Sequence, residues 1–281
     1  MTQIDFHLQL NHNDNWSMSR LHFHDYCEFL LPLTSPGNIF VNDQVYPLRR
    51  GTLYLIGENT LHRTIATGFH ARYVLHISRK ALSALSIPQT DFSLMAQSAF
   101  LRADMSNDQM ISLIERFQAL ERNKNDGAFG SDVHQAIALL DLLLQVAPIL
   151  DAATAGDAVR SKDFLRVSPI LDYIRDHLSE PLTLDLIAGQ FYLSKHYLCR
   201  IFKSATGFSV MEYIIYSRVL KARQLLKEGV SVQQAGELSG FSDNSHFIRT
   251  FGHLTGTSPG RYAREHHGSD AAPILGAGLK E

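Results

Sequence analysis

The chain has 281 residues, 45% of them hydrophobic, and 26 Lys and Arg stand against 28 Asp and Glu. That length leaves room for two domains with separate cores, and a near-zero charge excludes bulk electrostatic attraction as the way it would find nucleic acid or a membrane. Two cysteines, Cys27 and Cys199, exclude a disulfide framework. The charge is uneven, with 12 Lys and Arg against 16 Asp and Glu through residue 161 and 14 against 12 beyond it. Basic character therefore lies in the C-terminal part, weakly, which suits specific rather than bulk binding. A signal peptide is not expected at the start of this sequence. Its most apolar run, Ala136 to Leu150, contains Asp141, Gln145 and Pro148 and is too short to span a bilayer. A soluble cytoplasmic protein with no membrane partner is expected.

Residues 1 to about 80 read as short strands at 21–23, 28–32, 38–41, 44–48, 52–56 and 72–77, separated by turn signals at Pro36-Gly37, Asn42-Asp43 and Arg50-Gly51. Regularly spaced short strands predict a barrel or jelly roll. Within them His22, His24 and Glu28 form H-x-H-x3-E, and His62 follows after a later strand and turn. Alternate residues of a strand point the same way, so His22 and His24 are both expected to face inward. Two chemistries fit these residues: hydrogen bonding to a small polar ligand, with Tyr26, Tyr54 or Trp16 offering a ring face, or coordination of a metal. The first is adopted, giving an effector pocket of His22, His24, Tyr26, Glu28, Tyr54 and His62 with no metal; His22, His24, Glu28 and His62 remain the candidate ligands of the second.

Residues 91 to 149 change to helical period. Ile111, Ile114, Phe117 and Leu120 make one stripe; Val133, Ile137, Leu140 and Leu144 make another. Leu139, Leu142, Leu143 and Val146 leave the second helix apolar nearly all round, more than one packing partner would cover. "DAATAGDAVRS" (151–161) is a small, polar linker, and Ser168-Pro169 opens the next helix. The Gly/Ala-rich tail after His266-His267 reads as disordered.

A pattern then occurs twice. Leu198, Arg200, Phe202 and Gly207 in "LCRIFKSATG" match Phe247, Arg249, Phe251 and Gly256 in "FIRTFGHLTG" at equal offsets, 49 residues apart. Thr206 and Thr255 precede the glycines, and Ser209 and Ser258 follow them. Thr183 and Ser194 are helix N-caps, and Leu198, Ile201 and Phe202 form an apolar stripe opposite Lys195, His196, Arg200 and Lys203. Two short helices joined by a tight turn, with cations on the outer face of the second, describe a helix-turn-helix. Between the copies, Val210 to Glu228 forms a helical rod roughly 28 Å long at 1.5 Å per residue. That rod can hold two recognition helices about one 34 Å turn of DNA apart.

Residues from about 166 to 266 closely resemble the tandem helix-turn-helix domain of AraC/XylS-type transcription regulators, and "GFSDNSHFIRTFGHLTGTSPGRY" (Gly240 to Tyr262) fits the C-terminal pattern nearly end to end. The resemblance implies base contacts from His196, Cys199 and Arg200 in the first recognition helix and from Asn244, Ser245 and Arg249 in the second. Arginine suits guanine and asparagine suits adenine. Lys195, Lys203 and Arg218 look like phosphate contacts. Two departures, Ala235-Gly236 for an Ile-Ala pair and Gly252-His253 for a basic pair, imply a weaker or more conditional grip by the second unit. "LHFHDYCEFLLPL" and "YPLRRGTLYLIGENTLH" resemble the cupin-like sensor domain attached to many such regulators. The fold class implied is α+β in two domains, a cupin-like β-barrel (jelly roll) plus helices followed by an all-α tandem helix-turn-helix. The expected boundaries are a sensing barrel over 1–90, a helical dimerisation segment over 91–150, a linker over 151–161, a DNA-binding domain over 162–267 and a tail over 268–281. The family implies a non-enzyme with no cofactor, a homodimer on double-stranded promoter DNA that contacts RNA polymerase as an activator. The layout resembles the sugar-catabolism branch, including rhamnose and chitobiose regulators, and so implies a carbohydrate effector. Alternatives are a metal-binding cupin enzyme fused to a DNA-binding module and a ligand-independent dimeric regulator.

Overall fold

The computed structural model describes residues 4–13, 21–35, 37–41, 43–66, 68–123, 127–153 and 162–266. Trp16, nearly all of the linker and the tail lie outside them. The chain divides into two compact units, Met1–Leu165 and Arg166–Glu281.

The first unit holds eight strands among the described residues: β1 (Phe6–Asn13), β2 (Cys27–Pro32), β3 (Gly37–Val41), β4 (Gln44–Leu48), β5 (Thr52–Ile56), β6 (His62–Ala66), β7 (His70–Ile77) and β8 (Phe100–Asp104). They form a five-stranded sheet, β1-β7-β2-β5-β8, and a three-stranded sheet, β4-β3-β6. All pairings are antiparallel and both sheets are open, so the pairing does not draw the closed barrel that strand spacing predicts.

Every residue of β2, "CEFLLP", is buried, which requires cover on both faces. The register shows how. Glu28 lies opposite Ile56 and His76, and Leu30 opposite Tyr54 and Val74. With a side-chain period of two, these six share one face, where Leu30, Tyr54, Ile56 and Val74 pack with Ile39, Val41 and Leu48 of the smaller sheet. Cys27, Phe29, Leu31, Leu53, Leu55, Tyr73, Leu75 and Ile77 project the other way into a larger core. Helices α1 (Arg79–Leu85), α2 (Asn107–Arg122) and α3 (Ser131–Asp151) cover that face. Tyr73 stacks on Phe117 of α2 with ring centroids 4.9 Å apart. Each fully buried Leu or Phe here is worth roughly 1.5–3 kcal/mol.

The structure departs from the sequence reading at several elements. β1, β6 and α1 are additional. β8 interrupts the stretch read as helical, because its backbone completes the edge of β5. Residues 21–23 are not a strand; His22 makes a single antiparallel bridge to His62. Helix α3 runs 21 residues, longer than the apolar run, and by length and composition alone it could cross a membrane. Seven of its residues, including Leu139, Leu142, Leu143 and Val146, are instead buried in the protein core.

The second unit is helical: α4 (Lys162–Asp176), α5 (Leu184–Gln190), α6 (Lys195–Thr206), α7 (Val210–Lys227), α8 (Val232–Leu238), α9 (Asn244–Thr255) and α10 (Pro259–His266). Helix α4 starts earlier than Ser168, and Pro169 lies inside it. The caps, glycines, threonines and serines of the two repeated units each have a local cause. Ser194 and Asp243 cap α6 and α9 by accepting backbone amides from Tyr197 and His246. Gly207 (φ 84°) and Gly256 (φ 74°) end the same helices in the left-handed conformation. Thr206 donates its hydroxyl to the Phe202 carbonyl at 2.6 Å, and Thr255 donates to the Phe251 carbonyl at 2.8 Å. Ser209 and Ser258 then accept amides in the first turns of α7 and α10.

Candidate functional site

Helices α5–α6 and α8–α9 are the two helix-turn-helix pairs. On α6 the stripe Leu198, Ile201 and Phe202 is buried, which turns Lys195, His196, Arg200 and Lys203 outward and leaves Cys199 half-buried. On α9, burial of Phe247 and Phe251 leaves Asn244, Ser245 and Arg249 exposed. Arg200 lies over the Tyr197 ring, 5.2 Å from its centroid, a cation–π contact that limits how far the guanidinium wanders. The connecting helix α7 has 18 residues, about 27 Å at 1.5 Å per residue.

Two expected phosphate contacts are engaged elsewhere. Lys195 Nζ lies 3.0 Å from an Asp185 carboxylate oxygen on α5, so it would have to leave that partner to meet DNA. Arg218 is the more firmly engaged. Its Nε donates to the Leu178 carbonyl at 3.1 Å and a terminal nitrogen donates to the Glu180 carbonyl at 2.7 Å. Burial lowers its pKa from the usual arginine value. The guanidinium thus fixes the loop after α4 against α7. The same loop reaches the second helix-turn-helix, where the Ser179 hydroxyl donates to the Leu238 carbonyl at 2.9 Å. Gly240, at φ 96°, packs its Cα against the Leu178 carbonyl and the Arg218 guanidinium, and a Cβ there would collide with both. Arg218 therefore ties to α7 the loop that also reaches α8.

Gly236, one of the departures from the family pattern, also has a reason. A Cβ at that position would lie 2.8 Å from Cδ1 of Phe247. Helix α8 therefore approaches the central aromatic residue of α9 more closely than alanine permits. Nothing comparable explains Gly252, where an added Cβ would meet only the Thr257 carbonyl oxygen, at an ordinary 3.9 Å.

In the first unit the structure gathers His22, His24, Glu28 and His62 and adds a residue the motif does not contain. His76 on β7 places Nε2 2.8 Å from Glu28 Oε2, and His24 Nε2 lies 3.1 Å from the same oxygen. His62 Nε2 is 3.6 Å from it. The His22 and His62 rings are 4.1 Å apart between centroids, and their backbones exchange hydrogen bonds of 3.1 and 3.0 Å. Burial alone would raise the Glu28 carboxyl, but the surrounding imidazoles of His24, His62 and His76 hold it well below the usual carboxylate range. Burial, reinforced by His62, pushes His22 down to about 3. Tyr26 stands at the rim, its ring 6.3 Å from His76. Tyr54 does not join the cluster: fully buried, it donates its hydroxyl to the Pro47 carbonyl at 2.6 Å and accepts the Arg49 amide. His76 lies 48 residues from Glu28, beyond any local motif. The available signal is its polarity at an inward position of a strand otherwise full of apolar residues.

Two helix-turn-helix pairs held at fixed spacing by one helix, each with an outward basic or amide-bearing face, define a DNA-binding transcription regulator. Residues 187–265 match the family model described as a helix-turn-helix domain. The chain is 28% identical over 248 residues to the uncharacterised HTH-type transcriptional regulator YfiF of Bacillus subtilis (strain 168), covering 86% of this chain and 78% of that one. It is 26% identical over 238 residues to the HTH-type transcriptional activator RhaS of Enterobacter sp. (strain 638), covering 82% of each. Among solved structures, the C-terminal domain of AraT, a response regulator from Geobacillus stearothermophilus, matches at 26% identity and TM-score 0.36 over 40% of this chain and 93% of that one. Residues 187–265 thus form a helix-turn-helix domain of the AraC/XylS type, and the chain is similar to transcriptional regulators over most of its length.

Proposed function

We propose that the protein is an effector-responsive activator of a carbohydrate-utilisation operon, acting as a homodimer that engages promoter DNA and RNA polymerase. The observation that carries this reading is the similarity to RhaS, named a transcriptional activator, which extends over 82% of both chains and so includes the N-terminal unit. In this reading the two open sheets are a cupin-like sensor, and the polar cluster around Glu28 with Tyr26 is the effector pocket. His196, Arg200, Asn244, Ser245 and Arg249 reach base edges, with half-buried Cys199 a minor contact, and Lys203 grips phosphate. Helices α2 and α3 supply the dimer contact, and effector binding shifts the population of dimer arrangements competent for two-site DNA binding. No group with a catalytic role is needed.

The test is a thermal-shift screen against mono- and disaccharides and sugar phosphates, followed by footprinting with each hit. Ligand at a hundred times its Kd stabilises by about 2.7 kcal/mol, a shift of several degrees at about 2–4 °C per kcal/mol. One sugar class should raise Tm and change the footprint. A footprint indifferent to the whole panel would overturn the carbohydrate-sensor reading in favour of a ligand-independent regulator.

A further inference from the structure

The groups around Glu28 do not form a self-sufficient hydrogen-bond network. In His62, Nδ1 lies 2.9 Å from the Thr60 carbonyl oxygen, so in the neutral ring Nδ1 carries the proton and Nε2 the lone pair. That Nε2 is buried, has no hydrogen-bond partner among the described residues and points towards a carboxylate oxygen 3.6 Å away. His24 repeats the arrangement: Nδ1 is 3.0 Å from the Tyr26 carbonyl, and Nε2 faces the same Glu28 oxygen at 3.1 Å. A neutral ring there opposes one acceptor with another. His22 lies against His62, the two ring centroids 4.1 Å apart. His76 can make an ordinary bond, donating from Nε2 to Glu28 at 2.8 Å. With neutral rings, His24 and His62 therefore present Glu28 with an excess of lone pairs, and His22 stands beside them.

A cation resolves that excess. Backbone carbonyls that hold Nδ1–H and turn Nε2 inward are the support that metal-bound histidines ordinarily have. One donor atom from each of His22, His24, Glu28 and His62 lies within 4.8 Å of the others. Donors around a centre with bonds of about 2.1 Å stand at most about 4.2 Å apart, so small rotations of these side chains complete the shell. The backbone under them is well anchored: His22 and His62 are a paired bridge, and Glu28 sits in the centre of the larger sheet.

We propose that His22, His24, His62 and Glu28 bind one late first-row divalent cation of the zinc, cobalt or nickel class, with His76 as a positioning residue that holds the Glu28 carboxylate. Three neutral imidazoles and one carboxylate suit such ions better than calcium or magnesium, which take oxygen shells. The inference goes beyond the regulatory reading above and does not depend on a sugar effector or on DNA binding.

The test uses the full chain, stripped with a chelator and titrated calorimetrically with Zn2+, with Co2+ absorption as an independent report of the ligand field. One equivalent per chain is expected, with the visible bands of protein-bound Co2+. His62→Ala and, separately, His24→Ala should weaken binding by about a hundredfold or more, and His76→Ala by about 10–100-fold. The double variant His266→Ala/His267→Ala should bind as the parent does. Far-UV circular dichroism and promoter footprinting show whether each variant is folded; should His62→Ala fail to fold, His24→Ala, at a partly exposed site, carries the comparison. No saturable binding by the folded parent, or stoichiometric binding that survives a folded ligand variant, would overturn the proposal. Either result is read from metal binding by the folded protein and not from the footprint, so it is distinguishable from a failure of the regulatory reading.

Discussion

Arg200 and Lys203 project from the same face of α6, yet the chemistry of the two groups assigns them different tasks. A guanidinium presents a planar fork that matches guanine, whereas an ammonium is a point charge suited to phosphate. Replacing Arg200 with alanine is expected to cost about 1–3 kcal/mol of operator affinity and to relax preference at one base pair. Lys203→Ala should weaken binding evenly across sequences and lower the salt slope by about 1. Quantitative footprinting over a set of single-base operator variants separates these outcomes; an Arg200→Ala protein with unaltered base preference would sink the assignment. This scale is also where sequence is least reliable. The outward direction of Arg200 and Arg249 follows from helical period, since Phe202 and Phe251 must be inside. The fates of Arg218 and Tyr54 do not follow from any period, because their hydrogen-bond partners are backbone carbonyls brought up by other segments. His76 is hidden for the same reason: the strand pairing that sets it beside Glu28 joins positions 48 residues apart.

Local elements divide along the same line. The caps of α6 and α7 and the stops of α6 and α9 are read directly from Ser194, Ser209, Gly207 and Gly256, whose roles depend on neighbours within four residues. Strand β6, "HRTIA", has little intrinsic signal and is a strand because β3 pairs with it. β8, "FLRAD", is too short for its pattern to override the helical period around it. β1 is different: Phe6, Leu8 and Leu10 alternate with polar residues, so its signal is present in the sequence. Gly236 shows how a local rule can be reversed by packing. Glycine inside a helix is ordinarily about 1 kcal/mol worse than alanine, so Gly236→Ala would be expected to stabilise α8. The contact with Phe247 predicts the opposite sign: the ring must move from a core it fills, and overpacking typically costs about 1–3 kcal/mol. At Gly189 in α5 a Cβ meets nothing within 4 Å, so Gly189→Ala should stabilise by up to about 1 kcal/mol. Thermal denaturation of the two variants side by side measures both signs, and a Gly236→Ala protein as stable as Gly189→Ala would remove the packing explanation.

At the scale of the molecule, the telling feature is that α3 has two apolar faces, of which the described residues cover one. Leu139, Leu142, Leu143 and Val146 are fully buried against the sheet and α2. Val133, Ile137 and Leu144, at helical spacing on the other side, are 55, 57 and 55% exposed. The sequence shows that the helix is apolar all round, but only the fold decides which stripe the sheet takes. Of the stripe with heptad-like spacing, Val133, Ile137 and Leu144 are left outside while Leu140 packs partly against the core. An exposed row of this kind on a regulator with two DNA-reading heads per chain is well placed for contact with a second copy, since apolar area removed from water gives roughly 25 cal/mol per Å2. Ile137→Glu places a charge in the middle of the row without touching the buried face. Sedimentation should show the parent as a dimer and the variant as a monomer, while thermal unfolding of the variant stays within about 0.5 kcal/mol of the parent once dissociation is accounted for. Affinity for a single half-site should persist, because α6 and α9 are on the same chain, whereas affinity for a paired site should fall by the loss of linked binding. A variant that still sediments as a dimer would show that this face of α3 is not where the copies meet.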